Sequence, residues 1–160
     1  MKIKRGEALP DAKVFILEKD PKQISIKEIV GDNKVILFGL PGAVTPTCSA
    51  RHLPSFMKAK DQLREKNIKK VICISVNDPF VMDAWGKTHN VENKILMVAD
   101  YKADFTKNIG AELDLNKGGL GIRSCRYTML VEKGNIVKIA EEEVAGKCES
   151  TAAENFLKVI

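Results

Sequence analysis

No two cysteines in this sequence are spaced as Cys-x-x-Cys, only two histidines occur, and no apolar run approaches the length that crosses a bilayer. Each lack excludes a class. Without a Cys-x-x-Cys pair, a dithiol–disulfide reductase has no reacting centre. His52 and His89 are far apart in the chain, so a zinc site lacks its usual ligand spacing and no metal is expected. Four cysteines in 160 residues are too few for a disulfide-stapled scaffold, which a chain of this length does not need. The segment Met-Lys-Ile-Lys-Arg at the start has no apolar core of a secretory signal, and Leu-Lys-Val-Ile at the end is not a Ser-Lys-Leu address. The cytoplasm is therefore the expected compartment, with mitochondrion and peroxisome left open should a targeting segment have been removed. The net charge of +5 could suggest nucleic acid, but the lysines are spread along the chain and interleaved with acids. That patterning describes a solvated surface, so neither nucleic acid nor membrane is an expected partner.

What is present is an ordinary globular composition, 44% apolar and 29% charged. One domain over residues 1–160 is expected, with no repeat or linker. Lys34 to Gly39 and Lys70 to Val76 are continuous apolar runs, the mark of strands buried on both faces. Val14 to Leu17 and Ile95 to Ala99 read as further extended segments, and Ser25 to Val30 as a short helix. Leu40 to Thr47 holds Pro41, Gly42 and Pro46, and must be a loop. From about Cys48 to Lys66, Leu53, Phe56, Met57 and Leu63 recur at helical spacing, with Pro54 expected to bend the helix. Asp78-Pro79 is a helix start, and Gly110 closes a helix over Asp104 to Ile109. Gly118 to Gly121 is predicted as a loop. Arg126 to Val131 and Ile136 to Ile139 form a hairpin around Glu132-Lys133-Gly134-Asn135, and Thr151 to Lys158 a closing helix. Strands alternating with helices and then a hairpin predict an α/β fold, a three-layer α/β/α domain around a central mixed β-sheet of thioredoxin-like arrangement.

The chemistry concentrates at Pro41-Gly-Ala-Val-Thr45-Pro-Thr-Cys48. A strand ends, a stiff loop turns, and a cysteine opens the first turn of a helix. Unpaired amides at a helix N-terminus, and any nearby cation, stabilise an anionic sulfur, and the thiolate is the nucleophilic form. The Thr45 hydroxyl can both accept and donate a hydrogen bond, which suits holding one peroxide oxygen while sulfur attacks the other. His52, four residues on, shares a helical face with Cys48; packing as a neutral ring is the plainer reading, and tuning the sulfur the functional one.

The segment resembles the peroxiredoxin signature Pro-x-x-x-Thr-x-x-Cys at all three specified positions. Val35-Ile-Leu-Phe-Gly-Leu-Pro-Gly-Ala, His52-Leu-Pro-Ser-Phe, Ile74-Ser-Val-Asn-Asp-Pro-Phe-Val-Met, Ala84-Trp-Gly-Lys and Gly119-Leu-Gly-Ile-Arg-Ser resemble its atypical two-cysteine, type II branch, so the likeness spans nearly the whole chain. The resemblance implies a thiol peroxidase acting on hydrogen peroxide, alkyl hydroperoxides and, as a further candidate, peroxynitrite. It implies Cys48 as the peroxidatic cysteine, Thr45 and the Cys48 amide as peroxide ligands, Pro41 as a shield, and no cofactor. An arginine from a later strand should polarise the peroxide. Arg126 fits best and Arg123 is second, with a surface or interface role its plainer reading. Val44 departs from the branch, which carries an aromatic there, so a looser pocket wall or altered dimer contact is expected.

Three thiols could condense with the sulfenic acid left on Cys48. Cys148, in Ala145-Gly-Lys-Cys-Glu-Ser, resembles the resolving position of animal enzymes, and a disulfide with Cys48 reduced by thioredoxin is the expectation. Cys73 matches the second cysteine of plant enzymes but reads as core filler; Cys125 matches neither. The alternatives are a one-cysteine cycle using glutathione or glutaredoxin, and a redox sensor that relays oxidation to partners. A homodimer joined through the active-site loops is also implied.

Overall fold

A computed structural model describes all 160 residues. Seven strands form one sheet in the order β2 (Pro21–Ser25), β1 (Lys13–Leu17), β5 (Leu96–Ala99), β4 (Lys70–Ser75), β3 (Lys34–Gly39), β8 (Tyr127–Glu132) and β9 (Asn135–Glu141). At its centre β3 (Lys34–Gly39), β4 (Lys70–Ser75) and β5 (Leu96–Ala99) run parallel, while β8 (Tyr127–Glu132) and β9 (Asn135–Glu141) add an antiparallel hairpin beside β3. At the other edge, β1 (Lys13–Leu17) and β2 (Pro21–Ser25) form the N-terminal hairpin. Mixed strand directions and helices on both faces give the expected α/β/α layering.

Strand β3 explains why its run is apolar throughout. Ile36 and Phe38 enter one core with Leu53, Phe56, Trp85 and Phe156; Val35 and Leu37 enter the other with Ile26, Ile72, Phe105 and Ile109. Alternate residues face opposite layers, and both layers are buried. Helices α1 (Ile26–Val30) and α5 (Asp104–Asn108) cover the second face. The first is covered by α2 (Leu53–Lys58), α3 (Lys60–Glu65), α4 (Pro79–Thr88) and α6 (Ala153–Phe156). Ser25 and Asp78 cap α1 and α4 through their side chains. No helix is long and apolar enough to cross a membrane.

Three elements differ from expectation. The helix around Cys48 already starts at Pro46 and contains a wide turn over Cys48–His52, where the Leu53 amide reaches the Cys48 carbonyl five residues back. Pro54 has no amide to donate to Ala50, and the looser turn ahead of it absorbs the mismatch; a second break falls at Ala59, which separates α2 from α3. The stretch around the Gly118–Gly121 loop forms a small separate hairpin, β6 (Glu112–Asp114) with β7 (Ile122–Ser124). Strands of three residues are too short to show a period. The closing helix is a single turn plus a tight 3₁₀ turn at Leu157–Val159.

Candidate active site

The loop after β3 is held by contacts that local sequence does not announce. The Ala43 amide donates to Asn77 Oδ1 at 3.0 Å, and the Ser75 hydroxyl donates to the same oxygen at 2.8 Å. Thr45 Oγ1 donates to the Gly42 carbonyl at 2.7 Å, and Thr45 offers its own carbonyl to the Ser49 amide as the helix begins. Pro41 and Gly42 are buried beneath this turn. Val44 is 70% exposed and sits at φ 69°, a left-handed conformation strained for a β-branched residue. Its side chain therefore projects outward from the loop.

Cys48 is in the first turn of its helix and 1% exposed. Arg126, immediately before β8 and also 1% exposed, directs Nη2 to Cys48 Sγ at 3.3 Å and to the Ala145 carbonyl at 3.0 Å. Its Nη1 lies 3.1 Å from His52 Nδ1, and its Nε has no partner. The four ion pairs of the protein involve other cations, so no carboxylate neutralises this buried guanidinium. Buried without a carboxylate, this guanidinium turns its donor edge to the Cys48 sulfur, where it can stabilise charge that develops during a reaction. Geometry thus joins Cys48 with Arg126 across 78 residues of chain.

Arg123 does not reach the sulfur. Its Nη1 donates to the Val76 carbonyl at 2.9 Å and its Nε to the Leu120 carbonyl at 2.8 Å. It braces the back of Gly42, where an added Cβ would stand 3.2 Å from Nη1. Arg123 is half-buried in this bracing role, away from the sulfur that its second-choice assignment would have it serve. His52 is fully buried, its ring tilted against Phe38 with centroids 4.8 Å apart, and burial followed by the Arg126 charge pulls its ring well below the usual histidine range. It is the packed, neutral histidine expected, yet it also touches Arg126. Asn77 and Thr128 escaped sequence reading. Thr128 lies inside an apolar strand, and Asn77 reads as turn chemistry.

The other thiols differ in setting. Cys73 is fully buried in β4 between two hydrogen-bonded strands, and burial, then the neighbouring Cys48, pushes its thiol well up. Cys125 faces the opposite core from Arg126, and burial followed by Glu141 pushes it up to about 12. Its closeness to Arg126 in sequence does not bring its sulfur to the guanidinium, because adjacent residues of an extended chain point to opposite faces. Cys148 is 7% exposed, on the irregular segment after β9, with its thiol raised by burial. Thr47 Oγ1 donates to the Gly146 carbonyl at 3.0 Å, so this segment lies against the helix turn that bears Cys48. No cluster of metal-ligating side chains occurs.

Residues 4–157 match the Redoxin family model. The chain is 43% identical to Peroxiredoxin-2D of Arabidopsis thaliana over 157 residues, covering 97% of this chain and 96% of that one. It superimposes on reduced Prx3 from Vibrio vulnificus in complex with hydrogen peroxide with a TM-score of 0.91 at 39% identity, covering 98% of each chain. Peroxiredoxin 5 from Alvinella pompejana gives a TM-score of 0.86 at 35% identity, over 98% of this chain and 96% of that one.

Proposed function

The chain belongs to the Redoxin family and is a peroxiredoxin of the thioredoxin-like superfamily, a thiol-dependent peroxidase; from that premise we propose that Cys48 is the peroxidatic sulfur and Arg126, Thr45 and Pro41 its supporting residues. The observation that carries this is the buried guanidinium 3.3 Å from Cys48 with no carboxylate to satisfy it. The thiolate attacks one peroxide oxygen. The O–O bond breaks, the departing oxygen takes a proton and leaves as water or an alcohol, and Cys48 becomes a sulfenic acid. Arg126 stabilises the charge that shifts from sulfur to the departing oxygen. The hydroxyl hydrogen of Thr45 is engaged by Gly42, so its oxygen meets the peroxide as an acceptor for the O–H. Pro41, buried and without an amide to hydrate, helps keep water off the sulfur.

Cys148 is our choice for the resolving thiol. Its sulfur attacks the sulfenic sulfur, water leaves, and a Cys48–Cys148 disulfide forms, which a thioredoxin-type reductant returns to two thiols with two electrons. The contrast with Cys73 supports this: Cys148 can swing with an irregular segment, whereas moving Cys73 means breaking pairings of β4 with β3 and β5. A homodimer through the active-site loops is supported by the exposed apolar residues Val44, Phe80 and Ile122. They flank that loop through the Ala43–Asn77 and Arg123–Val76 hydrogen bonds. Sedimentation as a 17.7 kDa species alone would refute it. The cytoplasm is the compartment we propose, to be checked by fractionation; relatives named chloroplastic and mitochondrial occur in Arabidopsis thaliana.

Rapid-quench mass spectrometry with limiting peroxide tests the assignments. Cys48→Ser abolishes oxidation. Cys148→Ser leaves the first oxidation of Cys48 intact and stops multiple turnover with thioredoxin. Unimpaired turnover by Cys148→Ser removes that residue from the cycle.

A further inference from the structure

The His52 ring sits between two side chains of one strand face. Arg126 and Thr128 are two residues apart along the extended segment, so both point toward the core that holds His52. Nη1 of Arg126 is 3.1 Å from Nδ1, and Thr128 Oγ1 is 3.1 Å from Nε2. Thr128 Oγ1 in turn lies 2.7 Å from the Thr151 carbonyl. All of these atoms are buried, and the Phe38 and Phe56 rings pack at 4.8 and 5.9 Å from the imidazole.

The donor inventory leaves one way to place the hydrogens. A guanidinium only donates, so Nδ1 must be the bare, accepting nitrogen. A neutral ring then carries its hydrogen on Nε2 and gives it to Thr128 Oγ1. Having accepted, the hydroxyl donates its own hydrogen to the Thr151 carbonyl, which only accepts. The chain runs one way, from the cation through the ring and hydroxyl to a main-chain oxygen. The other tautomer would set an N–H of the ring against an N–H of Arg126, two donors facing each other where no water can intervene. The charged or titratable groups around the ring are Arg126, Arg51 and Cys48; both cations oppose its protonation, while the Thr151 carbonyl favours it.

We propose that His52 and Thr128 are positioning residues for peroxide reduction: Thr128 locks His52 in the tautomer whose Nδ1 accepts from Arg126, and that bond aims the guanidinium edge at Cys48. The proposal rests on Arg126 being the residue that activates the sulfur and the peroxide. It assigns Thr128 a role through two other side chains, without contact with the substrate. Thr128→Val is nearly isosteric and removes the hydroxyl that faces Nε2, leaving the Thr151 carbonyl as the ring's remaining acceptor, whereas Thr128→Ser keeps the hydroxyl.

The test uses the full chain, reduced. Nitrogen-15 NMR of the imidazole reads the tautomer directly in the native protein, where bare Nδ1 and protonated Nε2 are expected for His52. Rapid-quench oxidation of Cys48 is expected to be about tenfold slower in Thr128→Val, the scale of weakening one hydrogen bond to a charged group. Thr128→Ser should react within about twofold of the native protein. A protonated Nδ1 in the native protein overturns the proposal, and does so even if Thr128→Val fails to fold. An undiminished rate in a folded Thr128→Val also overturns it. Arg126→Met separates the two levels: if it is slow while Thr128→Val is fast, the relay fails and the role of Arg126 stands. If Arg126→Met oxidises like the native chain, the role of Arg126 falls and the proposal with it.

Discussion

Replacing Arg126 with Met removes the buried cation while nearly filling its stem volume. At the observed 3.3 Å, a unit charge beside the sulfur is worth about 5 kcal/mol with an effective dielectric constant of ~20. That is a ceiling, because the guanidinium charge is spread over three nitrogens and one of them is shared with the Ala145 carbonyl. A net loss of roughly 2–3 kcal/mol for a hydrogen bond to a charged group is the better guide, equal to roughly 30- to 150-fold in rate. Stability should move far less. Removing a buried charge that has no carboxylate partner gains roughly 1–4 kcal/mol, while stranding the His52 Nδ1 and Ala145 acceptors loses roughly 1–3 kcal/mol each. The expected signature is a folded protein with a urea midpoint close to native and Cys48 oxidation slowed by one to two orders of magnitude. Rapid-quench mass spectrometry under single-turnover conditions measures the rate, and urea titration of the same sample measures stability. A native oxidation rate in the folded variant would refute the electrostatic reasoning; a collapse of stability matching the loss of rate would show that the guanidinium is there for the fold.

Two other perturbations report on strain and burial. Val44→Gly should stabilise the protein by about 1 kcal/mol, since relief of roughly 1–3 kcal/mol at φ 69° outweighs the chain entropy glycine adds; an unchanged or lower urea midpoint would contradict the strain. Alkaline pH should destabilise the reduced protein. The Cys73 thiol is held well above its ordinary value, so above pH ~8.5 the unfolded chain has released its proton while the native chain still keeps it. The native state thus binds more protons, and stability falls by about 1.4 kcal/mol per pH unit from this group until its folded value is passed. Cys125 and Cys148 act in the same direction but less, because solvent partly reaches them. A urea midpoint that is flat from pH 8 to 10 would exclude the effect.

Most of the scaffold and half of the site are readable along the chain. The strands over Lys34–Gly39 and Lys70–Ser75 announce themselves because a strand buried on both faces has no polar alternation to dilute the signal. Asp78-Pro79 and Ser25 mark helix starts because capping is a contact over three residues. The Pro41, Thr45 and Cys48 spacing is equally local, since one loop and one helical turn fix it. The hairpin of Glu112–Asp114 with Ile122–Ser124 is silent, being too short for a period. So is the wide turn at Cys48–His52, which depends on how the chain relieves Pro54.

What the sequence determines by itself is the cysteine proposed to react and the layered α/β frame, because each follows from neighbours within a few residues. The tertiary structure decides what surrounds that atom. It is the alternation of faces along the extended chain that sends Arg126 and Thr128 to Cys48 and His52 while turning Cys125 away. It is the packing of the sheet that encloses Cys73 within β4 and leaves Cys148 on an irregular segment outside it. These relations join residues more than 70 positions apart, such as Arg126 with His52 and Cys48. No local pattern encodes them, because they arise only when packed layers force distant side chains to satisfy one another out of water.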